Sequence, residues 1–197
     1  LVYLMVTGFQ CGSAESTSAK LYMQRKEWDA AELALVKEVE NNPANAEAWY
    51  NLGQVRLRKA EESLEAKNYS QVKTDFENMM YAYDKSLGAA TDFQQQIQTE
   101  KLFAWQKALN AGVELFNRSI KAPEAEAASI RAEAVEMYDV AIAINPDSLL
   151  PYKNASIALQ IDALTDRQLP YLQKARKISA DPEIMSLLIQ LYMDRGD

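Results

Sequence analysis

Carboxylates are the commonest chemically capable side chains in this sequence, and two groups of them fall at helical spacing: Glu61-Glu62-x-x-Glu65, and Glu124, Glu126, Glu133 and Glu136. A close pair of carboxylates can divide into acid and base when their surroundings push the two pKa values apart. Here Lys and Arg are interleaved with both groups, the pattern of a solvated helix face, so paired-carboxylate catalysis is not expected. There is no histidine, which excludes imidazole metal ligands, Ser/His/Asp triads and His-based proton transfer. No glycine-rich phosphate loop, Cys/His ligand cluster or nucleophile–base pair is visible. Met79-Met80 with Tyr81 and Tyr83, and the region of Trp105, recur at core spacing, which packing explains better than a cofactor does. The sequence therefore predicts no catalytic residue, no cofactor and no metal site.

The elements that would position any other function must be helical. With 197 residues, 48% of them hydrophobic, 25% charged, and only six glycines and six prolines, the chain has the composition of a helix-rich folded protein. Acidic residues outnumber basic ones 28 to 21, for a net charge of −7 that repels a polyanion. Nucleic acid is not an expected partner.

Cys11, the only cysteine, cannot form an internal disulfide. It follows the apolar run Leu1-Val2-Tyr3-Leu4-Met5-Val6 and Thr7-Gly8-Phe9-Gln10, and precedes Gly12-Ser13-Ala14-Glu15-Ser16-Thr17-Ser18. An apolar run, then a lone Cys, then Gly/Ser resembles a bacterial lipoprotein signal that has lost its beginning, in which the cysteine becomes lipidated. Gly8 stands where that signal favours a small residue, whereas Phe9 and Gln10 depart from it. The alternative is that residues 1–10 end an upstream helix and Cys11 is a buried thiol. The run is too short to span a bilayer. Two or more acyl chains, at about 0.8 kcal/mol per buried CH₂, would make a stable anchor. Residues 1–18 are thus expected to be a truncated signal and tether, with the rest on the periplasmic side of a bacterial envelope membrane.

Internal repeats govern the remainder. Ala46-Glu47-Ala48-Trp49-Tyr50-Asn51-Leu52-Gly53 places Trp49, Leu52 and Gly53 on the W-x₂-L-G signature of the tetratricopeptide repeat (TPR). Before it, Trp28-Asp29-Ala30-Ala31 with Leu35 and Asn42-Pro43 reads as the second helix of an earlier unit, whose first helix carries Ala19 and Tyr22. A later unit has Trp105, Ala108, Ala111, Gly112 and Leu115, then Ala134, Tyr138, Ala141 and Asn145-Pro146. Another opens at Leu149-Leu150-Pro151-Tyr152 and closes at Asp181-Pro182, with Tyr171, Leu172, Ala175 and Ile178 between. The chain resembles TPR proteins, and TPR lipoproteins in particular. The resemblance implies an all-α, TPR-type α-solenoid of antiparallel helical hairpins, about four to five units, at residues 15–45, 46–90, 91–147 and 148–182 with a partial unit at 183–197. In the last, Leu187, Leu188, Leu191 and Tyr192 form a stripe, and Gly196-Asp197 reads as the turn to a following helix.

Two units depart from standard length. Between Gly53 and the turn Lys67-Asn68-Tyr69 the first helix is seven residues longer than usual, about two helical turns, which brings its apolar stripe back into phase. The next is expected from Ser70 to Leu87 and to stop at Gly88; Thr91-Asp92 would cap a helix continuing to Lys121.

The resemblance also implies a groove. In TPR units the first helices line the concave surface, and an Asn just before the two small positions often bonds a bound peptide's backbone. Asn51, Asn110 and Asn154 occupy that place, with Tyr50, Gln54, Arg58, Lys153 and Ile157 expected on the same face. A carboxamide both donates and accepts, as a peptide unit does. Lys153 and Arg58 alone do not make the two-carboxylate clamp of chaperone-tail receptors. The expected function is a non-catalytic protein-interaction scaffold with protein or peptide partners. The alternatives are an accessory region of a longer enzyme, or an assembly subunit of an envelope complex.

Overall fold

Where α-helices begin is set by side chains that satisfy the first free N–H groups. Ser13, Asn45, Asn68 and Asp181 each accept such a bond, and α1, α3, α4 and α9 start immediately after them. The computed structural model describes residues 13–196; Cys11 and the run before it lie outside them. Among the described residues there are nine helices and no strand. They are α1 (Ala14–Gln24), α2 (Trp28–Asn41), α3 (Ala46–Glu65), α4 (Tyr69–Ala89), α5 (Gln94–Lys121), α6 (Glu124–Ile144), α7 (Leu149–Ile161), α8 (Thr165–Ile178) and α9 (Pro182–Arg195). None is long and apolar enough to cross a membrane.

Consecutive helices pair as α1/α2, α3/α4, α5/α6 and α7/α8, and each pair packs on the next. The result is two layers, first helices in one and second helices in the other. Three hairpin turns contain a left-handed residue that is not glycine: Lys26, Lys67 and Ala163, at φ of 59°, 57° and 53°. The α5/α6 turn instead uses Ala122 and Pro123, whose extended backbone sets the entry into α6.

The elongation is as expected in α3, which has 20 residues against 11 in α1. At its far tip Asp75 is buried but satisfied, accepting from Ser63 at 2.8 Å and Gln71 at 2.9 Å. Two boundaries differ from expectation. α4 continues through Gly88 to Ala89, because Ala90 N–H still reaches the Ser86 carbonyl at 3.0 Å. α5 starts after Phe93 without a cap from Asp92: the Phe93 ring stacks on Tyr50 at 4.5 Å, and that packing fixes the start.

The 28-residue α5 serves two hairpins. Its first turns carry Ile97 and Ala104 into the core around Phe76, Met79 and Tyr83, and its later turns bring Leu109 and Leu115 against Met137 and Tyr138. A large apolar side chain fully buried this way contributes about 1.5–3 kcal/mol. At the start of the array Glu38 is buried, bonded by Ser13 and by Asn45 at 2.7 Å, which ties α1, α2 and α3 together.

Candidate functional site

Because α3 outruns α1, its second half overhangs the α1/α2 turn and meets the early turns of α5. The step leaves an open cleft of about 420 Å³ in the layer of first helices. Met23, Trp28, Leu57 and Phe103 form apolar walls, and Gln54, Arg58, Thr99 and Glu100 supply the polar lining. Arg58 donates to Glu61 at 2.6 Å and remains half exposed. Glu61 also faces Lys107 at 3.5 Å, and the Lys107 ammonium lies 4.9 Å from the centre of the Phe103 ring. Glu61 is thus bridged between two cations, where the sequence suggested a freely solvated carboxylate.

Glu100 is the node of this cleft. One carboxylate oxygen accepts from the Tyr50 hydroxyl at 3.0 Å and from the Gln54 amide at 2.8 Å; the other accepts from Tyr83. Gln54 also donates to the Tyr50 oxygen at 2.8 Å. Burial, then the charge of Glu100 and the bond to it, push the Tyr50 phenol up to about 12. Tyr83 is raised further, by deeper burial first and by its bond to Glu100 second. Both phenols are therefore held neutral as donors. The arrangement presents a carboxylate with both oxygens occupied by hydrogen bonds beside apolar walls, which suits recognition by shape.

Tyr83 reaches Glu100 only because of Gly53. A Cβ at position 53 would collide with the Tyr83 ring, so only glycine lets that ring lie on α3. The same contact recurs in the next hairpin, where a Cβ at Gly112 would stand 2.5 Å from Tyr138 Cε1. In the shorter hairpins Ala19 and Ala31 are both fully buried, and Gln168 bonds buried Ser156 at 3.0 Å. A small residue on each first helix thus admits the partner helix. This packing resembles that of the tetratricopeptide repeat. No family model matches the chain, and no curated protein matches it. Among solved structures, a thermophilic TPR protein of Thermus thermophilus is similar at 19% identity over 93% of this chain and 84% of that one, with a TM-score of 0.40. YrrB, a TPR protein with an unusual peptide-binding site, is similar at 19% identity over 84% and 85%, with a TM-score of 0.34. MamA is similar at 15% identity over 83% and 89%, with a TM-score of 0.31.

The helical array has a second, smaller opening in the same layer. Val113, Phe116, Tyr138, Asn154 and Ile157 line a cleft of about 120 Å³ between α5 and α7. Burial alone pushes the Tyr138 phenol up to about 12, and its hydroxyl has no hydrogen-bond partner among the described residues.

The groove candidates therefore divide. Tyr50, Gln54 and Arg58 meet at the larger cleft; Asn154 and Ile157 meet at the smaller one. Tyr50 was expected as a contact surface but is half-buried, stacked on Phe93 and bonded to Glu100, so it builds the wall. Lys153 is ion-paired with Glu183 and is not a free cation. Asn110 is exposed, Asn51 and Asn154 are half-buried, and none of the three carboxamides is hydrogen-bonded among the described residues. Cys11 lies outside those residues. Tyr81, placed at core spacing by the sequence, is instead 54% exposed on the layer of second helices. Glu100 itself was missed, although Ile97, Glu100 and Ala104 lie at i, i+3 and i+7, which puts Glu100 on the buried stripe. Among the described residues no cluster of acidic or cysteine side chains could hold a metal.

Proposed function

We propose that this chain is a non-catalytic protein-interaction scaffold whose layer of first helices holds a segment of another protein. The observation that carries this reading is the 420 Å³ cleft with apolar walls and the half-exposed Arg58 at its rim. An apolar side chain fits between Met23, Trp28, Leu57 and Phe103. The guanidinium N–H groups of Arg58 that do not bond Glu61 can reach a main-chain carbonyl or a carboxylate. The free carboxamides of Asn51, Asn110 and Asn154 match the donors and acceptors of an extended backbone, and the smaller cleft takes a second side chain. A preformed, concave and mostly apolar opening with few polar groups is the usual form of a binding site.

The test is selection of peptides from a displayed random library on the full chain, followed by binding to Phe103→Ala and Arg58→Glu. Both variants should lose the selected peptides while keeping wild-type helicity. Undiminished binding by both would remove the cleft from the function.

The same reading has the array held at a bacterial envelope membrane through acylation of Cys11, supported by the apolar run and the Gly/Ser stretch around it. Membrane-extracted protein should carry an added lipid mass that Cys11→Ala abolishes; an unmodified Cys11 in that fraction would refute it.

A further inference from the structure

The layer of second helices carries an opening of its own. Between α4 and α6 lies a groove of about 530 Å³ floored by buried Phe76, Val140 and Ile144. Between Asp139 and Ile144 on α6 the lining of the groove includes the small side chain of Ala143, which leaves room above the floor. Its wall on α4 is Tyr81, which no burial requires: the ring stands out by 54% and is held edge-on by Trp49 at 5.8 Å and 81°. Three carboxylates, Glu77, Asp84 and Asp139, line the opening against one lysine, Lys73. Lys85 and Lys101 flank it without lining it; Lys85 sits over the Tyr81 ring at 5.3 Å, and Lys101 is 3.8 Å from Asp84.

We infer that this groove is a second protein-docking site, for the apolar face of a basic amphipathic helix. The apolar floor supplies area, and the exposed Glu77 and Asp84 of α4, on a chain of net charge −7, select a cationic partner; Asp139 is already committed to the Tyr171 hydroxyl at 2.7 Å. The spacing makes the partner specific. Glu77 and Asp84 are seven residues apart on one helix, about 10.5 Å along its axis. A ligand helix lying along α4 would meet them with Lys or Arg at the same seven-residue interval, and would turn the apolar residues between them toward Phe76 and Ile144. This site shares no residue with the cleft around Glu100, so either can fail without the other.

The probe is a fluorescein-labelled helical peptide of Leu and Lys with lysines at that interval, titrated by anisotropy into the full chain. Its counterpart with Glu in place of Lys is the control. The lysine peptide should bind and the glutamate peptide should not. Ala143→Trp, which fills the groove without altering charge, and the pair Glu77→Lys with Asp84→Lys should each weaken binding by about tenfold or more. Tyr81→Ala, a change at an exposed position, serves if the tryptophan variant loses helicity. Phe103→Ala should leave this binding unchanged. Equal binding by wild type and Ala143→Trp would mean adhesion by net charge and would overturn the inference. So would absence of binding, preference for the glutamate peptide, or a wild-type dimer that Ala143→Trp converts to monomer.

Discussion

In the second hairpin the tyrosine that lies on the close-crossing glycine gives its hydroxyl to Glu100; in the third, Tyr138 lies on Gly112 in the same way and its hydroxyl is unbonded among the described residues. The scaffold contact is common to both, and what differs is the helix that arrives next. α5 is long enough to bring Glu100 back over Tyr83, whereas the 13-residue α7 brings Asn154 and Ile157 beside Tyr138 and leaves a cleft. Elongation has therefore converted one copy of a repeated contact into a polar node and left the other as open surface.

The largest expected effect tests that contact. Gly53→Ala gains helix propensity of about 1 kcal/mol but drives a methyl into a ring tethered by Glu100 and stacked with Tyr50. Overpacking of that kind costs about 1–3 kcal/mol, and a tethered ring that cannot shift puts it at the upper end, so after the helix gain a net loss of about 2 kcal/mol is expected in urea unfolding. Gly112→Ala faces an untethered ring that can shift, and should lose less than about 1 kcal/mol. Equal losses would show that the tether is irrelevant to how rigidly the ring is held.

Next comes the node. Glu100→Ala leaves the hydroxyls of Tyr50 and Tyr83 without their acceptor and the Gln54 amide with the Tyr50 oxygen alone. A buried donor left unsatisfied costs about 1–3 kcal/mol, and a destabilisation near about 2 kcal/mol is expected. Tyr83→Phe alone should cost about 1 kcal/mol, and much less in the Glu100→Ala background. Tyr138→Phe removes an unpaired hydroxyl and should stay within about 0.5 kcal/mol of wild type. A double-mutant cycle in which Tyr83 and Glu100 behaved additively would dissolve the distinction between the hairpins.

How legible these features were in the sequence depended on what each one rests on. The close-crossing glycines and the apolar stripes were readable because each is a local residue type at fixed spacing: Gly53 and Gly112 fall on the signature position, and Ala108, Leu115, Ala134 and Ala141 are buried where the period puts them. The smaller cleft was half readable, through Asn154 and Ile157. Glu100 was not read, because an acidic residue in the run from Gln94 to Lys101 resembles solvated surface until the packing of α5 on another hairpin is known. Lys153 was read as available, and its partner Glu183 lies one helix hairpin further on, a contact that only the stacking of units reveals. Phe93 displaced the expected Asp92 cap for the same reason: a stacking contact made with α3 outweighed the local signal.

Alkaline titration separates the two sites by cause. Tyr50 and Tyr138 are both raised from 10.0 to about 12, so in each the folded state favours the neutral phenol. The stability each contributes is present below pH about 10 and is lost as pH rises toward about 12. At Tyr138 the cause is burial alone; at Tyr50 the charge of Glu100 adds to burial. Glu100→Gln should therefore lower the Tyr50 titration part of the way, with burial keeping it above the ordinary range, and leave Tyr138 where it is. Ring-carbon NMR of labelled tyrosine, assigned with Tyr50→Phe and Tyr138→Phe, reads both. Movement at Tyr138, or none at Tyr50, would mean that the two phenols do not differ in the way the geometry requires.

The smallest effect on stability belongs to the carboxamides. Asn110→Ala and Asn154→Ala remove groups that bond nothing among the described residues, and each should change unfolding free energy by less than about 0.5 kcal/mol. Asn51→Ala, half-buried on α3, should behave likewise. If these side chains hold a peptide backbone, their loss should lower affinity for peptides selected on the wild-type chain by about 3- to 10-fold each, the worth of one net hydrogen bond. Asn154, beside the open cleft under Tyr138, should lose more than Asn51, whose neighbour Tyr50 is already committed to the node. A larger loss at Asn51 would place the ligand's main chain over the second hairpin and make the node, rather than the open cleft, the centre of recognition.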